Sequence, residues 1–156
     1  MTSSNKGKKV TKTKKQRFSQ IFWLSFLFIS LGYAWYSFYV PSNDIEWADD
    51  MVEAELLAES SDKNLMLFFT GTWCVPCKVM KRQVFADKQV ARAVNSKIIP
   101  VIIDVDDPKS KEVVERYNAG ITPITLFIDK NGDVLDYAVG KMEKSAFMEM
   151  LKDIDG

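Results

Sequence analysis

The chain has 156 residues, with 21 Lys and Arg against 21 Asp and Glu, two cysteines and no histidine. The balance hides a split: the first 43 residues carry seven basic and no acidic residues, and the other 113 carry 14 basic against 21 acidic. An acidic remainder of that length holds one compact domain, argues against a nucleic-acid-binding role, and cannot build a four-ligand zinc site from Cys and His alone.

The basic arm, residues 1–20, contains Lys6, Lys8, Lys9, Lys12, Lys14, Lys15 and Arg17 and is expected to have no fold of its own. Ile21 to Val40 follows, 20 residues without a charge, which at helical rise is roughly 30 Å and matches a bilayer core. This reads as a transmembrane signal anchor over 21–40. Tyr33, Trp35, Tyr36, Phe38 and Tyr39 crowd its far end where a cleavable signal would have small residues, and aromatic clusters suit a membrane interface. Positive flanks stay in the cytoplasm, so residues 41–156 are expected on the other side, close to the bilayer after the short Pro41-Ser42-Asn43 exit.

Trp47, Met51, Ala54 and Ala58 recur at helical spacing before the polar Ser60-Ser61-Asp62 break, placing Trp47 on the core side of a first helix. Leu65 to Phe69 has the length and flanks of a buried strand, and Thr70-Gly71-Thr72 ends it just before Trp73-Cys74-Val75-Pro76-Cys77-Lys78. The cysteines therefore sit where a strand hands over to a helix. At the first turn of that helix a CxxC can close a small disulfide, and unpaired amides there stabilise a thiolate. The same spacing also serves half a zinc site, which here would need carboxylates to complete it, or a plain structural bridge, which gains little from so short a loop. Redox exchange is the favoured reading.

The helix is expected to run through Val79, Met80 and Val84 toward Phe85, with a second segment from Asp87 through Val90 and Val94. Ile98 to Val105 reads as a strand, and Asp107-Pro108 as the cap and first residue of a helix with Val113, Val114 and Tyr117 on its apolar side. Ile124–Ile128 and Val134–Val139 flank Asp129-Lys130-Asn131-Gly132-Asp133, a hairpin composition. Phe147, Met150, Leu151 and Ile154 stripe a final helix. Strands separated by helices argue for parallel crossovers and the hairpin for an antiparallel edge, giving an α/β domain with a central mixed sheet and helices on both faces.

The segment Trp73 to Lys78 resembles the active site of thioredoxin-like proteins. It resembles more closely still the C-terminal periplasmic domain of the disulfide reductase DsbD, since Phe85, Asp87 and Val90 follow at matching spacings. The stretch around Pro123, the strand after it and the Val139-Gly140 pair extend the similarity over about residues 63–151. The resemblance implies a thioredoxin-like fold and a membrane-anchored thiol-disulfide oxidoreductase that reduces protein disulfides in the periplasm or an equivalent space. Its partners would be disulfide substrates and an upstream membrane thiol donor. Cys74, nearer the helix start and expected to be exposed, is the nucleophile, and Cys77 resolves.

Trp73, Pro76, Thr122 and Pro123 are assigned to substrate contact or support; Pro123 takes the place of the family's cis-proline, and a packing lid is the plainer role for Trp73. No metal or bound cofactor is expected, the Cys74-Cys77 disulfide itself carrying the electrons. Two departures stand out: Phe68 occupies the place of the family's buried aspartate, and Ile124 that of a threonine. The proton of Cys77 then needs water or another acidic residue. The alternatives are a disulfide oxidant or isomerase, a Cu(I) delivery module holding a soft ion on two thiolates, and a tethered domain with a structural staple.

Overall fold

The computed structural model describes residues 14–154. The chain divides into two compact units, after Tyr39. The first holds helix α1, Lys14–Phe38, whose stretch Arg17–Phe38 is long and apolar enough to cross a membrane. The helix starts inside the basic arm, so the arm's last seven residues are helical rather than unfolded; straight-chain Lys and Gln extend an established helix at little cost. Lys6, Lys8, Lys9 and Lys12 lie outside the described residues. At the other end Tyr39 and Val40 fall beyond the helix.

The second unit contains α2 (Met51–Ser61), β1 (Asn64–Thr70), α3 (Val75–Met80), a π-helical turn (Lys81–Phe85) and α4 (Lys88–Lys97). There follow β2 (Ile98–Asp104), a 3-10 turn (Pro108–Ser110), α5 (Lys111–Arg116), β3 (Ile124–Ile128), β4 (Val134–Val139) and α6 (Lys144–Asp153). Asp50 caps α2 by accepting from Glu53 N, while the Glu53 carboxylate accepts from Asp49 N. Asp87 and Asp107 cap their helical segments in the same manner. Trp47 lies outside α2, which begins four residues later. Its indole donates to Asn43 Oδ1 and packs edge-on against Phe85, so it reaches the core from an extended segment and not from a helix face.

The four strands are ordered β2-β1-β3-β4. β1 pairs parallel with β2 and antiparallel with β3, and β3 pairs antiparallel with β4. The segment from β2 through α5 to β3 is therefore not a parallel crossover, because the chain passes beyond β1 and returns in the opposite direction. β1 is one of the two interior strands and is buried from Leu65 through Thr70. Its alternation feeds two layers. Met66 and Phe68 point into a core with Cys74, Cys77, Met80, Phe85, Val90 and Phe147. Leu65, Leu67 and Phe69 meet Ala54, Ala58 and Val101 on the other face.

The helix expected to continue smoothly to Phe85 widens at Lys81, where Ala86 N donates to Lys81 O across five residues. That extra residue per turn lets Met80, Val84 and Phe85 all bury, which an α-helical period would not align on one face.

A candidate redox site at the strand-helix junction

β1 ends at Thr70, Gly71 turns the chain, and Cys74 is the N-cap of α3. Cys74 N donates to Gly71 O, and Cys77 N donates to Cys74 Sγ at 3.2 Å. The two sulfurs are joined in a disulfide, with Cα atoms 5.3 Å apart. Pro76 occupies the first turn of α3, where its missing N–H is not needed, and is exposed.

The expectation that Cys74 is exposed does not hold: both cysteines have 1% relative exposure. Capping explains this, because aiming Sγ at the Cys77 amide turns the side chain into the core, while Trp73 and Val75 on either side point outward at 62% and 64%. The Trp73 indole folds back across Gly71 and donates to Asp106 Oδ2 at 2.8 Å. A Cβ on Gly71 would stand 3.0 Å from Trp73 Nε1 and 3.2 Å from Asp106 Oδ2, so glycine lets the ring lie there uncrowded.

Thr122-Pro123 is a cis peptide, and Pro123 is buried at the start of β3. Gly140 N donates to Pro123 O at 2.8 Å, tying the end of β4 to this loop. Thr122 Oγ1 is buried without a hydrogen-bond partner, as is Thr125 Oγ1. Phe68 is fully buried and sits opposite Thr125 in the β1-β3 register. Its ring is 4.9 Å from that of Phe85, edge to face.

Three residues of this neighbourhood were not singled out from the sequence. Asp106 follows the end of β2, and only the parallel register, which sets Thr70 beside Asp104, carries that loop to the cysteine turn. Thr125 had no signal in a strand of apolar neighbours. Lys81 lies one turn after Cys77, and its Nζ is 6.0 Å from the centre of the Phe68 ring. Burial holds its pKa below the ordinary lysine value, Asp104 opposing and Lys78 adding to that shift.

The sequence profile described as a thioredoxin-like domain matches residues 51–155. The chain belongs to the thioredoxin-like family. It is 38% identical over 79 residues to Thioredoxin-1 of Drosophila melanogaster, an alignment covering 51% of this chain and 69% of that one. It is 30% identical over 120 residues to thiol:disulfide interchange protein DsbD 1 of Pseudomonas aeruginosa, covering 72% of this chain but only 20% of the much longer relative. Among solved structures, the oxidised DsbD C-terminal domain of Neisseria meningitidis superposes with a TM-score of 0.56 at 18% identity, covering 65% of this chain and 89% of that one, and shows the shared fold. The thioredoxin-like fold and the likeness to DsbD thus match the expectation from residues 73–90. These relatives point to thiol-disulfide oxidoreductase chemistry, with which the spacing of Cys74 and Cys77 agrees.

Proposed function

We propose that this thioredoxin-like protein is a single-pass, membrane-anchored oxidoreductase that reduces protein disulfides outside the cytoplasm through Cys74 and Cys77. The observation that carries the reading is the disulfide at the N-terminus of α3, formed by the only two cysteines of the chain. The likeness to DsbD supports the reductive direction. The apolar stretch Arg17–Phe38, preceded by six lysines and opened by Arg17, supports an inner-membrane anchor with a cytoplasmic amino end and residues 41–156 in the periplasm or an equivalent space.

In the reduced protein the Cys74 thiolate attacks a partner disulfide, forming a Cys74-partner bond and releasing one partner thiolate, which takes up a proton. Cys77 then loses its proton and attacks Cys74 Sγ. The Cys74-Cys77 bond forms, the second partner sulfur leaves as a thiolate, and two electrons have passed to the partner. An upstream membrane thiol donor restores the dithiol, and no further cofactor takes part. Trp73 and Pro76, exposed on either side of Cys74, serve as partner contacts, and Thr122 and the buried Pro123 are assigned to supporting them.

Cys77→Ser should stop the reaction at the mixed disulfide and hold the partner on Cys74, whereas Cys74→Ser should trap far less. Non-reducing gels of both variants and the wild type, expressed in a membrane with an oxidising outer space, test this. A folded Cys77→Ser protein that captures no extracytoplasmic protein would overturn the reading.

A further inference from the structure

Phe68 on β1 is fully buried, and a cation stands over its ring. Lys81 N donates to Cys77 O, so the two residues are one α-helical turn apart, a spacing that brings Cβ atoms to about 5–6 Å on the same side of the helix. The Lys81 ammonium lies over the ring of Phe68, and Phe68 and Cys77 belong to the same buried cluster. Lys81 is thus a partly buried cation whose stem runs along the apolar layer that encloses the resolving cysteine. The charges facing it are Asp104 at the end of β2 and Lys78 on α3.

Cys77 has a difficulty that such a cation answers. Once the pair is reduced, a thiol at 1% exposure is hard to ionise, because burial penalises the thiolate. Phe68 offers no base, and Thr125 opposite it carries only a hydroxyl. A nearby positive charge lowers the cost of the thiolate without accepting its proton, which can pass to water.

We propose that Lys81 is a positioning residue for the second half of the exchange: its ammonium stabilises the Cys77 thiolate that attacks the Cys74-partner disulfide. This rests on the reading of Cys77 as the resolving thiol. The bonds made and broken are those given above; Lys81 stays protonated throughout, and the Cys77 proton leaves to solvent.

The test uses the full chain in detergent with Cys74→Ser, so that Cys77 is the only thiol, and follows its alkylation by iodoacetamide against pH by mass spectrometry. Lys81→Met should leave about tenfold less Cys77 thiolate at pH 7, a shift of the titration midpoint to higher pH. Lys81→Arg, which keeps the charge, should retain the midpoint of the unsubstituted chain. Lys81→Gln replaces Met if the apolar end disturbs packing. An unmoved midpoint in folded Lys81→Met or Lys81→Gln overturns the proposal, and so does an equal shift in Lys81→Met and Lys81→Arg, which would mark a packing effect. Because the midpoint is read without any partner, its result is independent of whether Cys77→Ser traps adducts, the measurement on which the oxidoreductase reading itself stands or falls.

Discussion

Trp73 Nε1 donates to Asp106 Oδ2 at 2.8 Å, joining the residue before the first cysteine to the loop after β2. Asp106 N in turn donates to Asp104 Oδ1, so that loop is braced at the strand end beside Thr70. The indole is exposed yet held, a state suited to a contact surface that keeps one orientation before a partner arrives.

Asp106→Ala should release the ring. The expected outcome is a small loss of stability, about 1 kcal/mol for an exposed hydrogen bond, with faster reduction of the Cys74-Cys77 disulfide by dithiothreitol. Gly71→Ala should crowd the same ring and shift it on its hydrogen bond to Asp106, with a smaller effect than Asp106→Ala. Denaturant midpoints and reduction rates check both. Unchanged reduction in the two variants would show that the tethered ring does not limit access.

Phe68→Asp introduces a carboxyl into the buried cluster that holds Cys77, the proposed resolving cysteine. Phe68 is fully buried and stacked edge-on with Phe85, so losing the ring should cost about 3–5 kcal/mol, as for other core phenylalanines. The new acid should nonetheless speed resolution of a preformed mixed disulfide by supplying a proton acceptor. Stopped-flow release of the partner thiol measures the second effect; slower release from a folded variant would refute it.

Acid should weaken the contact between α4 and α6. Asp87 caps α4 and pairs with Lys144 of α6 at 2.8 Å, and this hydrogen bond, with the amides of Gln89 and Val90, holds its pKa below the ordinary carboxylate value. The unfolded chain therefore binds the proton first as pH falls. The contribution is complete above the ordinary carboxylate pKa and disappears as pH drops through the depressed one. Asp87→Asn, which retains a capping oxygen, should melt below the wild type at pH 7 and converge with it near pH 2. A gap that stays constant across that range would mean the ion pair contributes nothing.

Topology gives a further prediction. A reporter fused after Gly156 that works only outside the cytoplasm should be active in intact cells if, as proposed, the seven basic residues before the uncharged run from Ile21 hold the amino end inside. Replacing Lys12, Lys14, Lys15 and Arg17 with Glu should lower that activity. Full activity of a cytoplasmic reporter on the native chain would reverse the orientation.

The sequence by itself determined the features written in neighbouring residues. The apolar run of β1 between polar breakers, the cysteine pair at its exit, the Asp-capped helix starts, the hairpin around Asn131-Gly132 and the uncharged span of α1 are all local patterns. Each is legible because the backbone's periodicity and the turn residues act over a few positions.

Only the tertiary structure decided what strand pairing brings together. Asp106 reaches Trp73 across 33 residues because β2 runs parallel to β1, and Thr125 faces Phe68 because β3 runs antiparallel to it. Direction and register depend on the path of the whole chain, so no local period reports them. The burial of Cys74 follows from the turn of one capping side chain into the core, and the placing of Lys81 over Phe68 follows from two elements packed face to face. Sequence therefore names the chemistry of the pair, while the charges and hydrogen bonds that tune it are set by contacts between residues far apart along the chain.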